Sequence, residues 1–547
     1  MIYLFSILIS FYITVVLIPP LSRLARRVNL VDIPDSRKIH KGLIPRIGGV
    51  GIVIGAVVPI WIWVPMADEF RAFLSGVVIL LIFGFLDDLI GLSYKKKLLG
   101  QVLAAGVTMA MGHVFIINLG VWTSGEIILP YYLALPLTFF FILGITNAIN
   151  LADGLDGLAG GLCVFIFLSL ALLAYLDGSS SIMVCCLGIV GALLAFLRYN
   201  SFPAAVFMGD TGSQFLGFSA AVLCIYLTQS QSTAIARTLP LIILGLPIMD
   251  TLTVMGERIM QGGSPFKADT KHFHYQLLRI GLSQKDAVVM IYLVQALMCL
   301  LSIQFRYYTE LWIILTYSSF TIAVLISFYL IHRVGWRFNK GLITEKWWNK
   351  YIRKKVIYSL ESFSLNYIKI TLPLGLIWLA VSSPLRVAEW NILILIMLLV
   401  TIATFYINKL VFKVFFRVTS YVLVMFLLLN SQETNLFGLP FSQQFFHYIF
   451  WGSLAACALV YLIVTRLRFL ETTPLDYLIL LLVVSIPFLP MEQVKLWHLG
   501  TVAGGMVVFL WSSEILLDSQ KKDLNMFSIS CLIAVVILAL RQGSSLL

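Results

Sequence analysis

Long apolar stretches separated by short polar loops repeat along the whole chain. A run of about twenty apolar residues is long enough to cross the hydrocarbon core of a bilayer as a helix. The pattern therefore predicts an all-α polytopic membrane protein, with about eleven transmembrane helices in a core and about seven more towards the C-terminus. The expected core spans are 1–20, 49–65, 72–86, 98–117, 131–147, 161–176, 182–197, 214–229, 237–255, 287–304 and 310–331. The later ones are 364–381, 390–408, 411–430, 445–465, 475–490, 498–517 and 525–541.

Basic residues are concentrated in alternate loops of the predicted core. If the spans alternate across the bilayer, the loops after the odd-numbered spans and the tail 332–356 hold 24 Lys and Arg residues. The loops on the opposite side hold only Arg71, Arg237 and Arg306. Because positive charge marks cytoplasmic loops, the first set is expected in the cytoplasm and the N-terminus outside.

Composition supports this interpretation and excludes others. The 547 residues are 60% hydrophobic and 12% charged, which no soluble domain of this length resembles. The net charge of +12 is explained by the positive inner loops, so it does not indicate nucleic-acid binding. All seven cysteines lie in apolar runs without zinc-ligand spacing, and we expect them to be small core residues.

The chain is expected to have three parts. Residues 1–331 form the membrane core, and the basic, Trp-rich residues 332–360 form an amphipathic linker on an anionic leaflet. Residues 361–547 form a C-terminal membrane domain. This last part contains no paired carboxylates and no histidine motif, so the chemistry is expected in the core.

The segment from Asn147 to Gly161 carries amides and carboxylates between two apolar runs. Carboxylates at membrane depth are costly unless they bind something, and Asn and Asp oxygens are the hard ligands that Mg²⁺ prefers. The alternative is a polar turn that caps two helices, since Asn and Asp are common caps.

Four other predicted cytoplasmic loops carry polar clusters as well, which favours a shared site over separate caps. Among the clustered residues, Asn150 and Asp210 are a plausible pair of ligands for Mg²⁺, with Mn²⁺ as an alternative ion. His272 and His274, close to the basic Lys267, Lys271 and Arg279, could bind a phosphate through charge-assisted bonds. Lys95, Lys96 and Lys97 precede a predicted span, where they could hold a phosphate attached to a lipid or could simply be positive-inside residues.

Four motifs in the first 330 residues resemble the polyprenyl-phosphate N-acetylhexosamine-1-phosphate transferases. They are Asp-Asp-x-x-Gly-Leu from Asp87, Asn-Ala-x-Asn-x-x-Asp-Gly-x-Asp-Gly from Asn147, Met-Gly-Asp-x-Gly from Met208, and Ser-Pro-Phe-x-x-Asp-x-x-His-x-His from Ser264. The resemblance implies Mg²⁺-dependent transfer of a sugar 1-phosphate, most plausibly GlcNAc 1-phosphate, from a UDP-sugar to undecaprenyl phosphate. UMP would be released, and lipid-linked surface glycan synthesis would begin at the cytoplasmic face of the bacterial inner membrane. O-antigen and other cell-wall polymers are examples of such glycans.

Residue roles follow from this resemblance. It implies Asn150 and Asp210 as metal ligands, Asp87 and Asp88 as the catalytic pair, and Asp153 and Asp156 as catalytic-site residues near the uridine and the metal. Lys97, Asn147, His272, His274 and Arg279 are implied as substrate-binding residues. Tyr275 departs from the family pattern, which usually has another histidine there. The seven C-terminal spans lie outside the family's usual extent. A homodimer is one of the assembly states that the sequence leaves open.

Two mechanisms compete at the Asp87-Asp88 pair, and the sequence favours direct attack by the lipid phosphate. A phosphate monoester is mostly dianionic at pH 7 and gains little from a general base. We therefore expect Asp88 to orient Lys97 or take a residual proton, and Asp87 to support the metal shell. The alternative is a covalent enzyme intermediate.

Other functional classes fit less well. An ion-coupled transporter would place its carboxylates near the middle of the bilayer, whereas these acids cluster at one face. A CDP-alcohol phosphotransferase would need an Arg soon after Asp153-Gly-Leu-Asp156-Gly, and none occurs before Arg198.

Overall fold

The fold is described from a computed structural model of the 547-residue chain. The described residues are 2–32, 42–122, 125–230, 232–262, 272–334, 354–382, 443–465 and 499–519, with single residues or pairs at 419–420, 423–424, 427–428, 478, 481, 530–531, 533–534 and 536–537. The chain forms two compact units. The first comprises Met1–Asn339 with Thr473–Ile479, and the second comprises Lys340–Thr472 with Leu480–Leu547.

The first unit is a bundle of helices with two small sheets at its ends. Its helices are α1 Ile2–Arg27, α2 Gly48–Trp63, α3 Asp68–Ile90, α4 Tyr94–Gly112, α5 Tyr131–Ala152, α6 Leu158–Leu176, α7 Ser180–Asn200, α8 Gly209–Gln229, α9 Pro240–Ile243, α10 Gly245–Met260, α11 Phe273–Arg279, α12 Gln284–Phe305 and α13 Glu310–Val334. The antiparallel strands β1 Val31–Asp32 and β2 Ile44–Pro45 pair with each other, as do β3 Asn118–Trp122 and β4 Gly125–Ile128.

Nine helices in the described part of the chain are long and apolar enough to cross a membrane. The prediction of a helical, multi-pass membrane protein is therefore confirmed, whereas the totals of eleven and seven spans stay predictions. The expected span 237–255 is divided into α9 and α10 by a break at Leu244. The expected span 98–117 ends earlier, at Gly112, and a β-hairpin follows it.

Helix α8 lies at the centre of the first unit and is the most buried of the nine candidate spans. It packs against α3, α5, α2 and α6. Glycines allow the closest approaches: a Cβ added to Gly49 on α2 would lie 2.3 Å from the backbone nitrogen of Gly212 on α8. A Cβ added to Gly84 on α3 would lie 2.6 Å from the Cα of Thr211. We call Gly49, Gly84 and Gly212 the glycine seam, and it holds the N-terminal turn of α8 against two neighbours.

The loops before α2 and α8 are tied together by backbone hydrogen bonds. Phe207 N donates to Pro45 O, and Gly48 N donates back to Phe207 O, both at 2.9 Å. This pairing brings the end of the first polar loop beside the Met-Gly-Asp motif at the start of α8. Four loops that are distant in sequence thereby reach one end of the bundle.

The second unit contains three well-described helices, α14 Lys354–Ser382, α15 Gln443–Thr465 and α16 Leu499–Ser519. They pack on one another around an apolar core that includes Leu372, Leu454 and Phe509. The boundaries expected from the sequence, with a linker at 332–360, stay predictions, because 335–353 lies outside the described residues. Most of the expected spans 390–408, 411–430, 475–490 and 525–541 also lie outside them.

Candidate active site

Lys97 lies between two carboxylates that come from different helices. Its Nζ is 2.5 Å from Asp87 Oδ2 and 2.7 Å from Asp210 Oδ2. Asp87 belongs to the last turn of α3, where Gly91 ends the helix with a left-handed φ of 65°. The other carboxylate oxygen of Asp87 accepts a hydrogen bond from Leu92 N at 2.6 Å. The amino group of Lys97 therefore joins α3, α4 and α8 at one point.

Asp88 caps the N-terminus of α8 from a different helix. Its carboxylate accepts hydrogen bonds from Asp210 N at 2.9 Å, Thr211 N at 3.1 Å and Thr211 Oγ1 at 2.7 Å. A Cβ at Gly209 would lie 2.5 Å from this carboxylate, and Gly209 has a left-handed φ of 68°. The expectation that Asp88 orients Lys97 is therefore wrong, because Asp87 contacts Lys97 and both Asp88 oxygens accept hydrogen bonds from α8. The alternative, that Asp88 takes a residual proton, stays a prediction.

Asn150 and Asp210 are adjacent, as their assignment to one cation site requires. Asn150 Nδ2 donates to Asp210 Oδ1 at 2.6 Å and to Ser213 Oγ at 2.7 Å. The Oδ1 atom of Asn150 is not used in these bonds and is available as a hard ligand.

A rigid turn carries Asp153 and Asp156. Gly157, with a left-handed φ of 81°, begins α6, and its carbonyl oxygen accepts a hydrogen bond from the Tyr292 hydroxyl at 2.6 Å. Its N–H donates to Asn200 Oδ1 at 3.0 Å. Asp156 accepts from Ala204 N at 2.9 Å, so the turn is held by α7, α12 and the loop before α8.

Asp153 lies on this turn, just beyond the end of α5. Its burial and the nearby charges of Asp210, Asp88 and Asp156 raise the pKa of its carboxyl to about 7, although Arg46 opposes the shift. Repulsion of this kind is relieved when a cation binds among the carboxylates.

A cavity of about 320 Å³ opens between these elements. Five of the residues singled out from sequence line it: Asp88, Asn150, Asp153, Asp156 and Asp210. The structure adds others that sequence reasoning did not assign to the site: Asp32, Arg46, Asn200, Phe207, Ser213 and Gln284. Tyr275, which stands where the family usually has another histidine, lines the cavity as well. Asp32 is buried and forms an ion pair with Arg46. The cavity therefore combines clustered carboxylates with one guanidinium at its wall.

The two motif histidines lie behind the cavity wall and have different environments. His272 Nδ1 is 3.0 Å from Asp250 Oδ2, and Phe273 N donates to Asp250 Oδ1 at 2.7 Å. His274 is buried against Gly154, and its Nε2 atom has no hydrogen-bond partner among the described residues. Burial lowers the pKa of His274 to about 4, so its ring is neutral at pH 7. The binding of phosphate by His272 and His274 stays a prediction.

The remaining sequence candidates lie outside the cavity lining. Arg279 is exposed on the last turn of α11. Asn147 lies one turn deeper than Asn150, and its Nδ2 donates to Gln101 Oε1 at 2.9 Å and to Leu143 O at 2.8 Å. Lys267 and Lys271 fall outside the described residues.

Asp250 was not anticipated, although a signal was present in the sequence. It is a single acid in the apolar stretch Gly245-Leu-Pro-Ile-Met-Asp250, and an isolated acid in a predicted span usually has a functional partner. Its partner is His272, which follows 22 residues later.

The donor set fits a hard divalent cation. Asn150 and Asp210 supply an amide oxygen and a carboxylate, and the pKa of the nearby Asp153 carboxyl is raised by burial and then by the charges of Asp210, Asp88 and Asp156. Mg²⁺ typically takes one or two protein carboxylates and completes its shell with water and phosphate oxygens.

Comparisons with known proteins agree with this arrangement. Residues 70–228 match the family described as Glycosyl transferase family 4. A probable undecaprenyl-phosphate N-acetylglucosaminyl 1-phosphate transferase of Bacillus subtilis (strain 168) is 35% identical over 346 residues, which are 62% of this chain and 93% of the relative. The undecaprenyl-phosphate alpha-N-acetylglucosaminyl 1-phosphate transferase of Escherichia coli (strain K12) is 31% identical over 325 residues, 58% of this chain and 87% of the relative. The protein of the same name in Salmonella typhi is 29% identical over 340 residues, which are 61% of this chain and 92% of the relative.

Proposed function

Since the chain belongs to the undecaprenyl-phosphate N-acetylglucosaminyl 1-phosphate transferases of glycosyl transferase family 4, we propose that it transfers GlcNAc 1-phosphate from UDP-GlcNAc to undecaprenyl phosphate. An oxygen of the lipid phosphate attacks the phosphorus that bears the sugar. The bond from that phosphorus to the bridging oxygen of the pyrophosphate breaks, and UMP leaves. The product is an undecaprenyl pyrophosphate that carries GlcNAc.

One observation carries this proposal: Lys97 lies between Asp87 and Asp210, and Asp210 lines a cavity rich in carboxylates. A lipid phosphate that approaches from the membrane can replace a carboxylate as the partner of the amino group. Lys97 would then hold the attacking phosphate, and Asp87 would keep the amino group oriented through its own contact. Asp87 is itself fixed by the Leu92 N–H.

Asn150 and Asp210 would hold a Mg²⁺ ion, with Asp153 close enough to contribute through its charge. When bound, the ion would neutralise charge on the pyrophosphate oxygens and favour departure of UMP. Asp88 would keep the first turn of α8 in place, so that the carboxylate of Asp210 points into the cavity.

Direct attack is the mechanism that these contacts favour. A nucleophilic carboxylate needs an oxygen with room to approach phosphorus. Both oxygens of Asp88 accept hydrogen bonds from α8, and the oxygens of Asp87 contact Leu92 N and Lys97. Neither acid of the pair has an oxygen without a partner. The lipid phosphate already carries its own negative charge and needs no covalent step.

The orientation proposed from sequence puts this chemistry at the cytoplasmic face of the bacterial inner membrane. The basic loops and the clustered site residues belong to the same predicted side of the bilayer, which is where UDP-sugars are made. The ion-coupled transporter is not favoured, because the relatives are named as transferases.

The test uses the purified full-length protein in detergent with undecaprenyl phosphate, Mg²⁺ and UDP-GlcNAc, and UDP-GalNAc in a parallel reaction. We expect UMP release that depends on both the lipid and the metal, and that is faster with UDP-GlcNAc. In the Asp210→Asn variant the rate should fall about a thousandfold or more, since a ligand of the metal is lost. Absence of UMP release in the wild-type protein would contradict the proposal.

A second reaction separates the two mechanisms. Enzyme, Mg²⁺ and labelled UDP-GlcNAc are mixed without lipid, and the amount of UMP released is compared with the amount of enzyme. We expect no burst and no label on the protein. A stoichiometric burst with label on Asp87 or Asp88 would replace direct attack with a covalent route.

A further inference from the structure

Three amide side chains meet just beneath the candidate active site. Asn147 Nδ2 donates to Gln101 Oε1 at 2.9 Å, and Gln101 Nε2 lies 3.4 Å from Asn147 Oδ1 and 3.5 Å from Gln214 Oε1. Gln101 and Gln214 are 5% and 2% exposed. None of the three lines the described cavity, so they form a layer of their own, which we call the amide layer.

Each amide lies one helical turn from a residue of the site and on the same helix. Gln101 follows Lys97 by four residues on α4, and Gln214 follows Asp210 by four on α8. Asn147 precedes Asn150 by three on α5. Because residues three or four apart share a helix face, each amide lies directly beneath the side chain that acts in the site.

The contacts within the site cannot hold the same three helices through a reaction cycle. Apart from the amides and the close packing of Gly217 on α8 against Thr146 on α5, the polar links between these helices near the site are Lys97 with Asp210 and Asn150 with Asp210 and Ser213. If the proposed function holds, a phosphate takes Lys97, and a cation takes oxygens of Asp210 and Asn150. Those links must then loosen when substrate binds and form again when product leaves.

The amide layer has no such competing partners. It is one turn further from the cavity, and amide groups buried among membrane helices bond best to one another. We propose that Gln101, Asn147 and Gln214 are positioning residues, which keep α4, α5 and α8 in register while the ionic contacts above them are exchanged. This inference rests on the proposed function.

An exchange of side-chain lengths across one contact tests the proposal. Gln101→Asn and Asn147→Gln each change the reach of one amide by a methylene group, whereas the double variant restores the summed length. We expect each single variant to lower kcat for UMP release about ten- to a hundredfold, the size of effect that a small misplacement causes. The KM for UDP-GlcNAc should change less than about threefold, because none of the three amides lines the cavity. The double variant should recover to within about threefold of wild type.

A second readout does not depend on turnover. Mg²⁺ with UDP-GlcNAc should raise the unfolding temperature of the wild-type protein, because ligands that bind only the folded state stabilise it. The Mg²⁺ concentration for half of this rise should increase in each single variant and return towards wild type in the double variant. Thr108→Val is the matched control, since it also removes a buried polar group from α4 but leaves the amide layer intact.

The outcomes are distinct. Single variants with wild-type kcat, or a double variant no better than the worse single one, would overturn the positioning role. The same loss in Thr108→Val would also overturn it, by showing that any buried polar change on α4 has this effect. A wild-type protein that releases no UMP would overturn the proposed function, and this inference with it.

Discussion

At the residue scale, Asp87 and Asp88 are neighbours in sequence but have different partners. Asp87 contacts Lys97, and Asp88 accepts three hydrogen bonds from the first turn of α8. Adjacent residues near the end of a helix point in directions about 100° apart, so one acid reaches α4 and the other reaches α8. The pair therefore divides into a partner for the lysine and a cap for a helix.

This division predicts different defects for two equivalent substitutions. Asp88→Asn should lose about 1–2 kcal/mol of stability, because the cap loses charge and one strong acceptor. Asp87→Asn should lose activity with a smaller change in stability, since its remaining oxygen still accepts from Leu92 N. Unfolding temperature in detergent and UMP release measure the two effects. Equal unfolding temperatures for both variants would contradict the capping role of Asp88.

Protonation of His274 also belongs to the residue scale. Burial and the neighbouring His272 lower the pKa of His274 from the ordinary 6.5 to about 4, and Asp250 opposes this shift. The folded protein thus binds this proton less readily than the unfolded chain does. Stability from this group is present in full above pH 6.5 and is lost as the pH falls from 6.5 towards 4.

His274→Gln should therefore flatten the pH dependence of stability. Between pH 7 and pH 4 its unfolding temperature should fall less than that of wild type, because the variant has no group that protonates on unfolding. The control is His113→Asn, which removes an exposed histidine at a left-handed position that Asn tolerates. A variant that follows the wild-type profile would show that His274 is not the group responsible.

Much of the site could be predicted from residue types alone, because acids and amides between apolar runs are costly without a function. The sequence singled out four of the acids that line the cavity, Asp88, Asp153, Asp156 and Asp210, but neither Asp32 nor the different partners of each acid. Asn147 was expected to bind substrate, and only the helix geometry shows that it lies beneath the site. Pairings such as Asp250 with His272 depend on the tertiary fold.

At the element scale, the turn from Asp153 to Gly157 is rigid because two other helices bond to it. Tyr292 of α12 donates to Gly157 O, and Asn200 of α7 accepts from Gly157 N. These bonds add to those that the turn receives from α5, where Asp153 N donates to Asn150 O.

Removing one of these supports should weaken both stability and activity. Tyr292→Phe deletes only the hydroxyl, so we expect a loss of about 1 kcal/mol and a several-fold slower release of UMP. Tyr317→Phe also deletes a hydroxyl that donates to a carbonyl, that of Gly245 at 3.2 Å, away from the turn. The control should therefore lose stability with little change in rate. Equal rates for both variants would argue against a role of the turn in catalysis.

Helix positions were predicted closely, because length and hydropathy largely determine where a chain can cross a membrane. The predicted 131–147 and 161–176, for example, became Tyr131–Ala152 and Leu158–Leu176. Two features were missed for local reasons. Pro240 is the first residue of α9, and Pro247 lies in the first turn of α10. Because proline favours the start of a helix, the single predicted span is divided into two helices. The hairpin of β3 and β4 lies between two predicted spans, where a search for long apolar runs carries no signal for short strands.

At the scale of the whole molecule, every residue of the candidate site belongs to the first unit. The second unit has its own apolar core and contributes no residue to the described cavity. The matches to the relatives from Bacillus subtilis and Escherichia coli include 62% and 58% of this chain, but 93% and 87% of the relatives' own lengths. The chemistry is therefore expected to reside in the part that they share.

A chain shortened to end at Ser359 should retain Mg²⁺-dependent UMP release. Its rate should be within about tenfold of the full-length protein, since all proposed metal and phosphate contacts remain. Expression can fall, because helices that lose a neighbour face lipid or detergent. Asp210→Asn in the shortened chain serves as the inactive control. Complete inactivity in a folded, monodisperse preparation would show that the second unit completes the site.

The glycine seam has a consequence for how this protein can vary. Consider a library that carries every substitution at every position, in cells whose growth requires the enzyme's product. In such a library Gly49, Gly84 and Gly212 should tolerate no replacement. Even alanine adds a methyl group 2.3–2.7 Å from atoms of a neighbouring turn. Attempts to select a new sugar specificity will therefore succeed through the loops that border the cavity, while the helix packing beneath them stays invariant.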